Sequence, residues 1–320
     1  MDALSDVLRS VRLTGGVFLD SRFTAPWCVT ATLTGADIRP FLAAMPRQLI
    51  CYHVVINGRA ILSISGEPSI EVCAGEVLLL PGNDGHVLAS EHGLEPVPAG
   101  SLITMPPNGG LPSIEYGGGG NETQIVCGFL ASEDGYNPLI AALPRTLKLD
   151  LREGTSREWI ESSVRFAAAE LASGRLSSSE VMSRLSETLL VEAVRKYTST
   201  LPENESGWLN GLRDPHVGRA LTLIHGNIGK DWSVEDLARE VALSRSAFVD
   251  RFTSLVGMPP IRYLTVWRMR TARLNLREKR MSIAQLAHAV GYQSEEAFSR
   301  AFKREYGVSP AHWRDSQAAG

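Results

Sequence analysis

The stretch WSVEDLAREVALSRSAFVDRFTSLVG, residues 232–257, returns in altered form at residues 281–307 as MSIAQLAHAVGYQSEEAFSRAFKREYG. Each copy has a serine that can cap a helix, an apolar Leu-Ala segment, a short turn with a second serine, and two phenylalanines four residues apart. We therefore predict that each copy is a helix, a turn and a second helix. The predicted core positions are Leu237, Ala238, Val241, Phe248 and Phe252 in the first copy and Leu286, Ala287, Val290, Phe298 and Phe302 in the second.

A proline pair and a further helix separate the two copies. Pro259 and Pro260 end the first copy, and the sequence that follows predicts a helix over 261–276, about 24 Å long at ~1.5 Å per residue. Gly291 can adopt the left-handed conformation that a β-carbon would disfavour in the second turn. A rigid connecting helix suits two second helices placed on one face, about one turn of DNA (~34 Å) apart.

Charge is distributed unevenly along the chain. Residues 210–320 contain 17 lysines and arginines against 11 acidic residues, a net charge of +6, whereas residues 1–209 contain 15 against 24, or −9. Of the 17 cations, 14 are arginines, whose guanidinium groups suit bidentate contacts to phosphate and guanine. The basic part therefore has either a polyanionic partner or simply a solvated charged surface.

The composition, with 320 residues, 44% hydrophobic and 21% charged, is that of a globular protein with room for two domains. It excludes a disordered protein, a collagen-like rod and a disulfide-stapled miniprotein. The four cysteines, Cys28, Cys51, Cys73 and Cys127, form no CxxC pair, so reduced thiols are expected. The first residues, MDALSDVLRS, do not resemble a signal peptide, and no run reaches the ~18 apolar residues of a spanning helix. We expect a cytoplasmic protein that does not enter a membrane.

Residues 51–90 have the pattern of a β domain. Short runs such as YHVVI, AILSI, SIEV and VLLLP alternate with turn signals, and Asn57-Gly58 is a strong hairpin signal. This spacing predicts an antiparallel barrel or sandwich. Residues 96–120 contain five prolines and seven glycines and predict a long loop without regular structure, either a lid or slack, before a strand over 123–130.

After Pro144 the hydrophobic period changes from two to 3.6 residues. Ser156 can cap a helix that ends at Gly174, and a second helix is predicted from about Ser179. Its apolar stripe consists of Val181, Met182, Leu185, Leu189, Ala193, Val194 and Tyr197. Two alternatives stay open for these helices: packing on the β domain, or a surface for self-association.

Residues 216–314 resemble the DNA-binding domain of the AraC/XylS family of bacterial transcription regulators. The motifs that carry the resemblance are WSVEDLA, LSRSAFVDRF, PPIRYLTVWRM and SIAQLAHAVGYQSEEAFSRAFKREYGVSPAHWR. Residues 5–150 are similar, less closely, to the cupin domain found in some of these regulators. The resemblance implies an α+β chain in three parts. These are a cupin-like sensor domain at 1–150, formed by an antiparallel jelly-roll-like β-barrel, a helical linker or dimerisation segment at 151–205, and an all-α domain of two helix-turn-helix units joined by a long helix at 210–320.

The resemblance also implies which side chains contact DNA, with the helices that start at Arg245 and Glu295 entering successive major grooves. Positions that face bases in the family are Ser246, Val249 and Asp250 on the first helix and Glu295, Glu296 and Arg300 on the second. Arg245, Arg251, Lys303 and Arg304 are placed near phosphates. Asp250 departs from the family's commoner basic residue, which argues against guanine readout there, although an aspartate can accept from cytosine N4. Arg300 is the strongest candidate base reader.

The cupin resemblance is incomplete at the metal-ligand positions. The spacing Gly75, Pro81, His86 fits the second cupin motif, with Asn83 where a glycine is usual. His53 fits the first motif, but Val55 and Arg59 stand in place of its second histidine and its glutamate. His53 and His86, with Cys51 or His92 as further guesses, are too few for the three to four ligands of a catalytic metal. We therefore assign no cofactor, expect no metal, and leave open a small-molecule effector pocket at His53 and His86 or a purely structural barrel.

These observations favour a sequence-specific transcription regulator, not an enzyme, that couples a signal at the cupin-like domain to promoter binding. Its expected partners are double-stranded promoter DNA, RNA polymerase and a second copy of the chain, in a bacterial cytoplasm near the nucleoid. The alternative is a metal-dependent cupin enzyme with an accessory DNA-binding domain. A third reading is a redox switch that pairs two cysteines, which requires α-carbons within ~7 Å.

Overall fold

The computed structural model describes residues 13–34, 46–105, 112–132, 138–150, 180–201, 208–277 and 281–318. The chain divides into two compact units, one formed by Val11–Thr200 and one that contains Leu201–Gly320. In the described residues the first unit is built mainly of β-strands and the second is helical. This division confirms the predicted α+β class, with a β domain ahead of an all-α domain.

Two sheets form the β unit. Its strands in the described residues are β1 Thr14–Thr24, β2 Cys28–Ala31, β3 Gln48–Asn57, β4 Arg59–Ile64, β5 Ile70–Cys73, β6 Glu76–Leu80, β7 His86–Ala89, β8 Val97–Pro98, β9 Ser113–Gly117, β10 Glu122–Ser132 and β11 Leu147–Asp150. One sheet has the order β11-β6-β3-β10-β1-β9 and the other the order β5-β4-β7-β2-β8. Apolar side chains from both sheets form one core, so the unit is a jelly-roll-like sandwich, and the described strands do not close into a single barrel.

The β-hairpin predicted at Asn57-Gly58 was wrong, although a tight turn is present there. β3 ends at Asn57, β4 begins at Arg59, and Gly58 has a φ of +75°, which a residue with a β-carbon rarely adopts. β3 pairs with β6 and β10 in one sheet and β4 pairs with β5 and β7 in the other, so this turn carries the chain between the two sheets of the sandwich. The predicted strand over 123–130 is confirmed, within β10.

The prediction that 96–120 lacks regular structure was wrong in part. This stretch contains β8, a 3₁₀ turn at Ala99–Leu102, and β9. β9 lies parallel to β1, and β8 lies parallel to β2, so the sheets are not wholly antiparallel as predicted. Proline and glycine mark local breaks, but these short strands form because distant strands offer them a free edge.

In the residues that the structure describes, the β unit also has the helices α1 Pro138–Ala141 and α2 Glu180–Thr200. α2 packs on β1, β10 and β11, and Leu189, Ala193 and Val194 of its predicted stripe are fully buried. The described part of α2 therefore supports packing on the β domain. The helix predicted at 156–174 lies outside the described residues.

The helical unit follows the predicted order. Its helices are α3 Trp208–Arg213, α4 Pro215–Gly226, α5 Val234–Glu240, α6 Arg245–Val256, α7 Pro260–Arg277, α8 Ile283–Ala289, α9 Glu295–Tyr306 and α10 Pro310–Ala318. The pairs α5–α6 and α8–α9 are the two predicted helix-turn-helix units, and α7 is the predicted connecting helix. All ten predicted core positions are buried, which confirms how the helices of each unit pack.

Candidate nucleic-acid interface and effector cavity

The second helices of the two units, α6 and α9, begin and end in the same way. The Ser244 hydroxyl accepts a hydrogen bond from the Ala247 amide at 3.3 Å, and Ser294 accepts from Ala297 at 3.2 Å. Each helix has 12 residues and ends at a glycine in the left-handed conformation. Serine caps and glycine stops are signals in the local sequence, so the positions where both helices begin and end can be predicted from the sequence.

The turns that lead into α6 and α9 differ in length by one residue and carry different residues at the position with a positive φ. Gly291 has a φ of +83°, as predicted for the second turn. Ala242 stands at the equivalent place in the first turn with a φ of +56°, although an alanine side chain disfavours this conformation.

Exposed polar side chains cover the outer faces of α6 and α9. Nine of the ten predicted DNA-contacting residues are exposed: Arg245, Ser246, Asp250, Arg251, Glu295, Glu296, Arg300, Lys303 and Arg304. Val249 is half-buried. The phenylalanines of the same helices point into the core, so each helix has one buried face and one face available to a partner.

Two of the predicted phosphate contacts on α6 have ion-pair partners within the chain. The Arg245 Nε lies 2.7 Å from a Glu235 carboxylate oxygen on α5. The Arg251 Nε donates to Asp214 at 2.7 Å, and Asp214 is also the N-cap of α4, accepting from the His216 and Val217 amides.

Asp214 thus ties α6 to the start of α4. Burial alone would raise its pKa, but hydrogen bonds from Arg251 and from two backbone amides hold that pKa below its usual value. Sequence reasoning missed this role, although Asp214 before Pro215 is a recognisable N-cap signal.

Glu296 and Arg300 lie one turn apart on α9, and both are exposed. Hydrogen bonds from its own backbone amide and from Ser294 lower the pKa of Glu296, and the nearby Arg300 guanidinium lowers it further. Glu296 is therefore a carboxylate at neutral pH, at a helix N-terminus where negative charge is stabilised. This reading gives Glu296 a capping role in addition to its predicted position facing bases.

The β unit contains a cavity of about 250 Å³ that is lined by strands of both sheets. Its walls come from both sheets and from the segment Pro98–Ile103, which falls within the loop predicted as a lid or slack. Most of the lining is aliphatic or aromatic. The buried polar groups Ser21, Cys51, His53 and Cys127 also line it.

His53 and His86, predicted as a pair, are indeed brought together. Their Nε2 atoms are 2.8 Å apart, and His86 Nδ1 lies 2.9 Å from the Asp84 carbonyl oxygen. On its other side, His53 Nδ1 lies 3.1 Å from the Cys127 sulfur. Burial lowers the pKa of both imidazoles, and for His53 the neighbouring His86 lowers it further, so both are neutral at pH 7.

The positions of the protons follow from these contacts. A carbonyl oxygen only accepts, so His86 donates from Nδ1 to Asp84 and its Nε2 is an acceptor. His53 must then donate from Nε2 to His86 and accept at Nδ1 from the Cys127 thiol. Burial raises the pKa of Cys127 to about 12, which keeps that thiol protonated. The chain from Cys127 through His53 to His86 is therefore fully hydrogen-bonded.

The residues present do not fit a cupin metal centre. The two imidazole Nε2 atoms are hydrogen-bonded to each other, Val55 lies in the apolar core, and Arg59 forms a 2.8 Å ion pair with Glu71. Within the described ranges, no three His, Cys, Asp or Glu side chains are arranged to hold a metal ion.

Asn83 and the four cysteines all lie in the β unit. Asn83, where the family has glycine, has a φ of +51°, and its side-chain amide donates to the Leu33 carbonyl at 2.7 Å. Asparagine is one of the few residues that adopt this conformation readily. All four cysteines are free thiols, and burial also raises the pKa of Cys51. Among the described helices, none is long and apolar enough to cross a membrane.

Comparison with known proteins places both units. A family model described as a cupin matches residues 2–199, and one described as a helix-turn-helix domain matches residues 237–316. A putative AraC-like transcription regulator of Streptomyces lividans is 31% identical over 271 residues, 83% of this chain and 87% of the relative. The HTH-type transcriptional regulator AlkR of Acinetobacter baylyi is 26% identical over 98% of this chain and 99% of its own length.

Among solved structures, the DNA-binding domain of the global transcriptional factor AdpA, in complex with a target DNA, is 30% identical. It covers 33% of this chain and 95% of that domain, with a TM-score of 0.32. The two family matches and the relatives agree with the paired helix-turn-helix units and the β sandwich. The chain belongs to the AraC-type family of DNA-binding transcriptional regulators, with an N-terminal cupin domain.

Proposed function

We propose that α6 and α9 are the recognition helices of this regulator and that their exposed faces read promoter DNA. The observation that carries the proposal is the matched construction of the two helices. Both have 12 residues, a serine cap, a buried phenylalanine face and an exposed polar face. A helix of this length exposes about three turns, enough to reach base edges in one major groove.

The exposed face of α9 combines base-reading and phosphate-binding groups. Arg300 is exposed in the middle of the helix, where its guanidinium can reach guanine O6 and N7. Lys303 and Arg304 follow in the last turn, where phosphate contact would fix the register of the helix on the duplex. Glu295 and Glu296 at the start would disfavour phosphate and favour the amino group of cytosine.

The α6 face has a different chemistry. Ser246, Val249 and Asp250 present a hydroxyl, an apolar surface and an acceptor, so α6 would read cytosine N4 or a thymine methyl rather than guanine. Arg245 and Arg251 would have to leave or share Glu235 and Asp214 to contact phosphate. The α9 block of the operator should therefore be more sharply specified than the α6 block.

Substitution of Arg300 by alanine tests this assignment. On a duplex that the wild-type protein selects, Arg300→Ala should cost about 1 to 3 kcal/mol of binding free energy and relax the preference at one base position. Lys303→Ala is the matched control on the same helix. It should weaken all duplexes alike and reduce the slope of log affinity against log salt by about one. An unchanged base preference in Arg300→Ala would remove Arg300 from the base-reading set.

We further propose a sensor domain at 1–150, a linker at 151–205 and a DNA-binding domain at 210–320. The regulator would act as a homodimer in the cytoplasm, at the nucleoid, and would contact RNA polymerase. An effector in the β unit would favour one arrangement of the DNA-binding parts and so change promoter occupancy. Native mass spectrometry of the full chain with and without DNA tests the dimer, because a strictly monomeric mass in both states would contradict it.

A further inference from the structure

We propose that the cavity of the β unit binds a small, uncharged and largely apolar molecule that carries one hydroxyl group. This inference rests on the proposed effector role and names the chemical class of the effector. The volume of the cavity, the charge of its lining and the hydrogen bonds of its polar groups together define that class.

The volume sets the size of the ligand. An apolar protein cavity of about 150 Å³ accommodates benzene, with its six carbon atoms. In the same proportion, the 250 Å³ cavity accommodates about ten non-hydrogen atoms. That size corresponds to a bicyclic aromatic molecule or an eight- to ten-carbon chain.

The buried part of the lining disfavours an ionised group. None of the described residues that line the cavity is Lys, Arg, Asp or Glu. Burial keeps His53 neutral, and the Cys127 thiol stays protonated. A carboxylate or an ammonium group in this space would be desolvated without a charged partner, which is far costlier than burying a neutral group. A sugar is disfavoured for a related reason, because its many hydroxyls exceed the few polar groups of the wall.

Among the buried polar groups of the wall, Ser21 offers a place for a ligand hydroxyl, and the exposed Thr30 and Thr32 hydroxyls also line the cavity. Both nitrogen atoms of His53 are occupied, one by Cys127 and one by His86. Ser21 hydrogen-bonds to Cys127, and since that thiol already donates to His53, the Ser21 hydroxyl donates to the sulfur. The oxygen lone pairs of Ser21 remain available to accept. A ligand O–H can therefore donate to Ser21 among the buried residues of the wall.

The test measures binding of chosen probes to the full-length protein by isothermal titration calorimetry. The neutral probes are 2-naphthol and naphthalene, and the charged counterpart is 2-naphthoate. We expect saturable binding of 2-naphthol with one site per chain, at least about tenfold tighter than 2-naphthoate. Equal or tighter binding of 2-naphthoate, or no saturable binding of either neutral probe, would overturn the proposal.

Two variants locate the bound probe. Ser21→Ala should weaken 2-naphthol about three- to tenfold, the usual value of one hydrogen bond, and leave naphthalene unchanged. Ala31→Phe places a ring in the cavity and should weaken both neutral probes. Thermal unfolding of each unliganded variant checks that the fold is retained. If neither variant changes the affinity of 2-naphthol, the probe binds elsewhere and the assignment fails.

Failure of this inference can be separated from failure of the proposed function. DNA affinity is measured for the same samples with and without saturating 2-naphthol. Cavity binding that leaves DNA affinity unchanged would support the ligand class and overturn the effector role. Absence of cavity binding, with base reading by Arg300 intact, would overturn the ligand class and leave the DNA-binding proposal standing.

Discussion

Ala242 and Gly291 stand at the same place in the two helix-turn-helix turns, and both have positive φ angles. An L-residue with a β-carbon pays about 1 to 2 kcal/mol for this conformation, and glycine does not. At Gly291 the surroundings add a second constraint. A β-carbon there would lie 2.5 Å from the Arg268 guanidinium and 2.7 Å from the Gly229 carbonyl oxygen.

We therefore expect Gly291→Ala to lower the free energy of unfolding of the helical unit by more than about 1 kcal/mol. Ala242→Gly is the matched substitution in the other turn, and it should leave stability unchanged or raise it by up to about 1 kcal/mol. Guanidinium unfolding of the full chain, followed by far-ultraviolet circular dichroism, measures both. Equal destabilisation by the two substitutions would contradict this account of the turns.

The sequence predicts the contacts of some site residues better than those of others. His53 and His86 are identified by motif spacing, and the structure brings them within hydrogen-bond distance. Cys127, the third member of the chain of hydrogen bonds, comes from β10, and its place beside His53 depends on the register between β3 and β10. Strand register is set by pairing across the sheet, so no local pattern could have assigned this contact.

Among the helices, α4 and α7 are joined by a half-buried histidine. His225 of α4 has its Nε2 2.8 Å from the Tyr263 hydroxyl of α7, and its ring meets Trp267 edge-on at a centroid distance of 4.7 Å. Burial lowers the pKa of His225 to about 3. The folded helical unit therefore contains a neutral imidazole that protonates readily only after unfolding.

This difference predicts a pH-dependent stability. The unfolded histidine titrates near pH 6.5, so stability is at its full value above that pH and falls as the pH decreases from 6.5 towards 3. At pH 5 the loss attributable to His225 is about 2 kcal/mol. His225→Gln should flatten the dependence in this window, as measured by denaturant unfolding at pH 7 and pH 5. An equally steep dependence in the variant would assign the effect to other groups.

The sequence predicts the boundaries of elements that depend on local signals. It does not predict strands that form only by pairing with distant strands. The predicted helix over 261–276 is Pro260–Arg277 in the structure, because the proline pair and the apolar period both act locally. β1, in contrast, was not predicted. Its sequence TGGVFLDSRFT lacks clean alternation, and the strand forms by pairing with β10 on one side and β9 on the other.

The whole molecule consists of two units of opposite net charge. The basic C-terminal part contains the two helix-turn-helix units, and the acidic N-terminal part contains the cavity. Resemblance was sufficient to predict both the family and the order of the parts. The cavity's volume and uncharged lining were not predictable from sequence, since they depend on how side chains from both sheets fill the core.

Two successive helix-turn-helix units should read DNA as two blocks. Selection of bound duplexes from a random pool by the full-length protein measures this. We expect enrichment of two short blocks with centres about one helical turn, ~10 base pairs, apart. In Arg300→Ala, one position of one block should lose its preference. A single enriched block, or no enrichment over the starting pool, would contradict the account.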